Sequence, residues 1–215
     1  MQDLLKVRGL VLSSSPMGEY DRRLVILTKE RGKITVFAKG ARRQTSKLMA
    51  ASNLFVFGTF TLYPGRNAYT LTDVQIEQFF EELRVDFEGA YYGMYFLELC
   101  DYYARENNDE KELLKLLYQS LRALSVKSLP HPLVKVIFEL KAMVVNGEFP
   151  GMPEEGSWQE STRYAVRFIE ITAIEKLYTF TVNEQVLKEL EAIAKAYRKR
   201  YIDRNMKSLK MLSLL

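Results

Sequence analysis

A single cysteine, Cys100, and a single histidine, His131, are all that this 215-residue chain has of either residue. One thiol excludes an intramolecular disulfide framework. One thiol with one imidazole also excludes every Cys/His four-ligand zinc site. The nucleophile–base dyads of covalent catalysis are left almost without material. Apolar runs are short, and none reaches the roughly 18 residues that a membrane helix needs. The N-terminus interleaves charge with Leu and Val instead of building a signal-peptide core. No glycine-rich phosphate cradle is present either. What remains is ordinary globular composition, 47% hydrophobic and 27% charged, with a net charge of only +4. That is enough for one large domain or two modest ones. The expectation is a soluble cytoplasmic protein with no cofactor, no metal and no membrane partner.

The small net charge hides three blocks. Residues 1–80 hold 12 Lys/Arg against 6 Asp/Glu, residues 81–194 hold 12 against 20, and residues 195–215 hold 7 against 1. A basic front and a basic tail read as contacts to a polyanion, and the acidic middle as a solvated surface.

The front reads as strands. Leu4–Leu12 is apolar and runs into Ser13-Ser14-Ser15-Pro16, a loop signal. Arg23–Thr28 is followed by the turn Lys29-Glu30-Arg31-Gly32, with Gly32 at the position that requires positive φ. In Lys33–Lys39, Ile34, Val36 and Ala38 face one way while Lys33, Thr35, Phe37 and Lys39 face the other. A longer loop, Gly40–Ser52, precedes Leu54–Tyr63, and Pro64-Gly65-Arg66-Asn67 turns into Ala68–Ile76. Five short strands suit an oligonucleotide-binding (OB-fold) barrel, with an SH3-like barrel as the rival. From residue 81 the period becomes helical, giving an α+β chain: a barrel over 1–80, then an all-α domain over 81–215. Phe87–Arg105 is apolar nearly all round and reads as a buried helix. Glu110–Leu124 follows behind Asp109, and Pro130-His131-Pro132 opens a helix that stops at Asn146-Gly147. After a loop at 148–160, Ser161 or Thr162 is expected to cap one further helix. The last helix begins after Asn183, with the stripe Val186, Leu190, Ile193, Tyr197, Tyr201.

Catalysis is not expected. The acidic pairs Glu81-Glu82, Asp109-Glu110 and Glu154-Glu155 could supply a metal-dependent nuclease, but carboxylates are favoured at helix starts in any case. The basic clusters say more. Lys33, Lys39, Arg42, Arg43 and Lys47, with Arg31 just before them, carry no acidic residue among them. Cations beside an aromatic on a barrel face suit single-stranded nucleic acid, the charges following phosphates and the ring stacking on bases. Phe37 is the ring in question, or else a core residue under a neighbouring helix. Arg198, Arg204, Lys207 and Lys210 form the second cluster, only partly explained by the helix dipole.

The stretches Gly9–Leu12, Gly18-Glu19-Tyr20-Asp21, Leu24–Thr28, Glu30–Ile34 and Ala38-Lys39-Gly40-Ala41-Arg42-Arg43 with Ser46 resemble the opening of the RecO family of bacterial DNA repair proteins. Phe138-Glu139-Leu140-Lys141, Gly147, Pro150, Glu175–Thr181 and Met206–Leu209 continue the resemblance in the family's order. It implies an OB-fold followed by a helical domain, and a recombination mediator in place of an enzyme. Such a protein would bind single- and double-stranded DNA, anneal complementary strands, and act with RecR on gaps coated by single-strand-binding protein so that RecA loads. The acidic C-terminal tail of single-strand-binding protein would be met by the helical domain. Many members carry a four-cysteine zinc module after the segment matching Gly147–Pro150; this chain has only Gly151–Gln159 there. Trp158 against the final helices is the expected substitute for the metal's contribution. A protein–protein adaptor whose barrel docks a partner, with DNA contact incidental, is the alternative.

Overall fold

In the computed structural model, which describes residues 3–66 and 68–214, the alternating front becomes β1 (Leu5–Met17), β2 (Asp21–Thr28), β3 (Gly32–Ala38), β4 (Phe57–Pro64) and β5 (Tyr69–Gln78). They close into a barrel of order β1-β2-β3-β5-β4. β1 closes it by pairing twice, with β4 through Leu5–Leu10 and with β2 through Gly9–Met17. β3 and β5 run parallel at Val36↔Tyr69 and Phe37↔Thr70. This strand order makes the barrel an OB-fold and removes the SH3-like rival.

The barrel core is Val7, Val11, Leu24, Ile26, Ile34, Val36, Phe60, Leu62 and Leu71. Each fully buried aliphatic side chain there contributes about 1.5–3 kcal/mol.

Two expectations about the front change. Ser13–Pro16 is strand and not loop, because β2 needs a backbone partner there: Ser14 pairs with Leu24 and Pro16 with Arg22, after a bulge between Val11 and Ser13. Pairing across the barrel rim overrides local turn chemistry. The loop after β3 contains a short helix, α1 (Leu48–Ala51). Gly32 does adopt φ +63, and a Cβ there would lie 2.2 Å from the Arg105 carbonyl oxygen.

The helical elements are α2 (Glu82–Val85), α3 (Phe87–Tyr103), α4 (Lys111–Leu124), α5 (His131–Val145), α6 (Glu160–Ile171), α7 (Glu184–Tyr201) and α8 (Lys207–Leu212). One compact unit takes Met1–Glu81 with Leu97–Leu114; the other takes Glu82–Phe96 with Lys115–Leu215. In the second unit α5 packs against α6 and α7. It is buried on every side from Val136 to Met143, Glu139 and Lys141 included. Lys141 Nζ donates to the carbonyls of Ile169, Glu170 and Thr172, closing the C-terminal end of α6.

α7 begins after Asn183 as expected, and the Asn183 side chain caps it, accepting from the Val186 amide at 2.9 Å. Ser161 and Thr162 do not cap α6. The helix starts at Glu160 behind Gln159, and the Thr162 hydroxyl donates instead to Glu189 at 2.5 Å. α7 is not the last helix, since α8 follows it. The Trp158 indole donates to the Glu155 carbonyl in its own loop at 2.9 Å. The polar ties from this loop to α7 are Tyr197 Oη donating to the Gly151 carbonyl at 2.7 Å and Glu189 accepting from the Gln159 amide at 3.1 Å.

Candidate nucleic-acid interface

β3 alternates as its sequence dictates, with Gly32, Ile34, Val36 and Ala38 buried and Lys33, Thr35 and Phe37 half-buried on the outer face. That outer face is divided. At the Lys33 end it is occupied by the Leu97–Leu114 segment of the same unit. The Lys33 amide donates to the Arg105 carbonyl, and the Asn107 amide to that of Arg31. Lys33 Nζ donates to the Asp101 backbone oxygen and to Asp101 Oδ1 at 3.2 Å. Val25 and Leu27 alternate with the core residues Leu24 and Ile26, yet both are buried here. The Lys33 ammonium therefore holds α3. The other end, with Arg23, Phe37 and Lys39, carries exposed cations.

The basic loop begins at that open end. Gly40 has φ +66, and its amide donates to Asp21 Oδ1 at 2.7 Å. Ala41 is fully buried and anchors the loop to the barrel core. The Arg42 amide donates to the Tyr20 carbonyl at 2.9 Å, and Arg42 Nη1 to the Gly18 carbonyl at 3.1 Å. The Arg43 guanidinium lies over the Tyr20 ring, 4.8 Å from its centroid. Beneath the loop's far side, Arg22 Nη1 donates to Ser14 Oγ, the Ser52 carbonyl and Asn53 Oδ1. Backbone and base of the loop are thus fixed, while Lys39, Arg42, Arg43 and Lys47 reach solvent. A ligand that engages them does not have to order the main chain first, which lowers the entropic cost of binding.

The tail cluster lies in the second unit and is not uniform. Arg198 is drawn inward, with Nη1 donating to Glu139 Oε1 at 2.6 Å and only 17% of its side chain exposed. Arg204, Lys207 and Lys210 are exposed before and on α8. Of the expected contact residues, then, Lys39, Arg42, Arg43 and Lys47 stand exposed in the loop that follows β3, and Phe37 lies near the end of that strand on its outer face. Lys33 and Arg198 are engaged within their own units.

Sequence reasoning missed Tyr20 and Arg23. Tyr20 is 43% exposed at the tip between β1 and β2, next to Met17 at 39%. The signal was an aromatic placed between Gly18 and Asp21 in a turn, where no core demands a ring. Arg23 precedes the apolar run Leu24–Leu27, and it alternates outward. The pair Asp109-Glu110 serves local structure: Glu110 accepts from the Arg105 amide and from Asn108 Nδ2, and Asp109 from the Lys111 amide. Among the described residues no group of three or more His, Cys, Asp or Glu could hold a metal ion.

A family model described as Recombination protein O N terminal matches residues 1–80, and one described as Recombination protein O C terminal matches residues 84–152. A DNA repair protein RecO of Alkaliphilus metalliredigens is 34% identical over 168 residues, covering 74% of this chain and 68% of that protein. One from Acetivibrio thermocellus is 28% identical over 244 residues, covering 98% and 97%. One from Clostridium perfringens is 26% identical over 242 residues, covering 99% and 98%.

Proposed function

The chain belongs to the RecO family of DNA repair proteins, and from that premise we propose a recombination mediator that binds single- and double-stranded DNA without reading sequence and anneals complementary strands. The observation that carries this is the fixed basic loop: Lys39, Arg42, Arg43 and Lys47 exposed on a backbone pinned by Asp21, Tyr20 and Ala41. Long cations on a rigid base meet phosphates wherever they lie, and contacts to phosphate position a strand without specifying it. Arg204, Lys207 and Lys210 form a second cationic patch in the same role. Phe37 lies beside the loop and supplies a ring for stacking.

Annealing follows from neutralised phosphates. Two strands whose charge is offset approach with less repulsion, and base pairing does the rest. No catalytic step is needed. In the proposed division of labour, residues 1–80 hold DNA. Residues 81–215 meet RecR and the acidic C-terminal tail of single-strand-binding protein, in the cytoplasm, so that recombinase loads on coated gaps.

The test is annealing of two complementary oligonucleotides, one fluorescent and one quenched, in EDTA. Wild type accelerates annealing; the Arg42→Glu/Arg43→Glu variant loses most of the acceleration and keeps its thermal midpoint. Equal acceleration by both proteins sinks the proposal. Pull-down with RecR and with a single-strand-binding protein tail peptide checks the partners, and binding of neither removes them.

A further inference from the structure

Cross-strand register aligns a row of side chains across the outside of the barrel. Arg23 pairs with Phe37 between β2 and β3. Phe37 pairs with Thr70 between β3 and β5, and Thr70 with Tyr63 between β5 and β4. Paired positions share a face, and the neighbouring pairs Leu24↔Val36 and Leu62↔Leu71 point into the core. The row Arg23, Phe37, Thr70, Tyr63 therefore points out. Tyr63 is 47% exposed although it is a large aromatic in a strand. No core requirement accounts for a tyrosine there.

We propose that Phe37 and Tyr63 are two stacking platforms for unpaired bases, and that this row gives the site its preference for single over double strands. The inference rests on the DNA-binding reading above and names which form of DNA the site selects.

Spacing makes the case. Phe37 and Tyr63 are separated by two strand intervals, about 10 Å at 4.7–4.9 Å each. Successive bases in a duplex strand are 3.4 Å apart. A strand can occupy both rings only if its stack is broken between them, with a nucleotide crossing Thr70. A duplex keeps its bases turned inward and presents phosphates alone, which the loop cations accept but the rings do not.

Charge points the same way. The row begins at Arg23, whose hydrogen bond goes to the neutral Thr35 hydroxyl, and the exposed Lys39 follows Phe37 two residues on. Elsewhere on the barrel exterior the cation Arg8 is paired with Glu77, whereas Arg23 beside the rings has a neutral partner. Single strands bind in general where a cationic track runs beside aromatic faces.

The experiment is a titration of a fluorescent oligo(dT) and of a duplex of equal length with the full chain at fixed salt, followed by anisotropy. Phe37→Ala/Tyr63→Ala is expected to weaken oligo(dT) binding at least tenfold, since stacking on each ring is lost, and to leave duplex affinity within twofold. Tyr63→Ala alone, at an exposed position, repeats the effect in part if the double variant melts early. Tyr63→Phe, which keeps the ring, restores wild-type binding. Equal losses on both DNAs, or no loss on either, overturn the inference. Failure of the parent reading looks different: the Arg42→Glu/Arg43→Glu variant then binds both DNAs as wild type does.

Discussion

Replacing Arg198 by Met removes one of two short hydrogen bonds to one oxygen of a buried carboxylate. Glu139 is 1% exposed, and its Oε1 accepts from Arg198 Nη1 at 2.6 Å and from Tyr95 Oη at 2.6 Å. Lys135 Nζ stands 3.5 Å from Oε2. Burial first, and then the Glu139 charge, push the Tyr95 hydroxyl well above its ordinary range, so it stays a donor. Breaking one side of a buried ion pair costs about 3–5 kcal/mol. With Tyr95 and Lys135 still present, the loss belongs at the lower end, about 3 kcal/mol. For a chain of this size each kcal/mol lowers Tm by about 2–4 °C, so the expected fall is about 6–12 °C. Thermal unfolding by circular dichroism measures it. A parallel oligo(dT) titration should show affinity within twofold of wild type, because the guanidinium is spent inside the helical unit. Adding Glu139→Gln removes the orphaned charge, keeps an acceptor for Tyr95, and should recover part of the loss. A Tm drop below about 2 °C together with a clear loss of DNA affinity would refute the reasoning and return Arg198 to the interface.

Lys33→Met tests the same logic in the barrel unit. Its partner Asp101 and Lys33 itself are 28% and 27% exposed, so a loss of about 1 kcal/mol is expected from the urea midpoint, with DNA affinity unchanged. Gly32→Ala should cost more than the roughly 1–2 kcal/mol of a left-handed residue, because the new Cβ also meets the Arg105 carbonyl; a midpoint equal to wild type would deny that contact. Glu189 gives a pH dependence. The Thr162 hydroxyl, then Gln185, holds its carboxyl below the ordinary value of 4.5. A depressed folded pKa contributes stability above the unfolded value that is lost as pH falls through the folded one. The thermal midpoint of wild type should exceed that of Glu189→Gln near neutrality, and the gap should close below pH 4.5. A gap that widens on acidification would contradict this.

How much was legible in the sequence depended on how local the cause was. The period-2 alternation of Lys33–Lys39 depends only on neighbouring residues, and it is seen intact. The cap at Asn183 is equally local. Ser161 and Thr162 look just as suitable as caps, but Thr162 answers to Glu189, 27 residues on. Ser13–Pro16 carries every local mark of a loop, and only the pairing demand of β2 makes it strand. The site divides in the same way. Lys39, Arg42, Arg43 and Lys47 stand exposed in their own loop, as their composition suggested. Lys33 and Arg198 have the same chemistry, yet their partners lie 68 and 59 residues away. No spacing rule reaches so far. Tyr63 was hidden for a related reason. Its place beside Phe37 runs through β5, and that depends on the barrel's strand order.

The central claim is that the loop after β3 binds DNA through phosphate. Oligo(dT) affinity measured across a series of salt concentrations tests it most directly, with wild type against Arg42→Gln/Arg43→Gln. Each phosphate neutralised on a single strand contributes about 0.7 to the slope of log K against log salt. Removing two cations should therefore flatten the slope by about 1.4, and to the same degree on oligo(dT) and on a mixed sequence. An unchanged slope, or a loss that depends on which bases are present, would contradict the account.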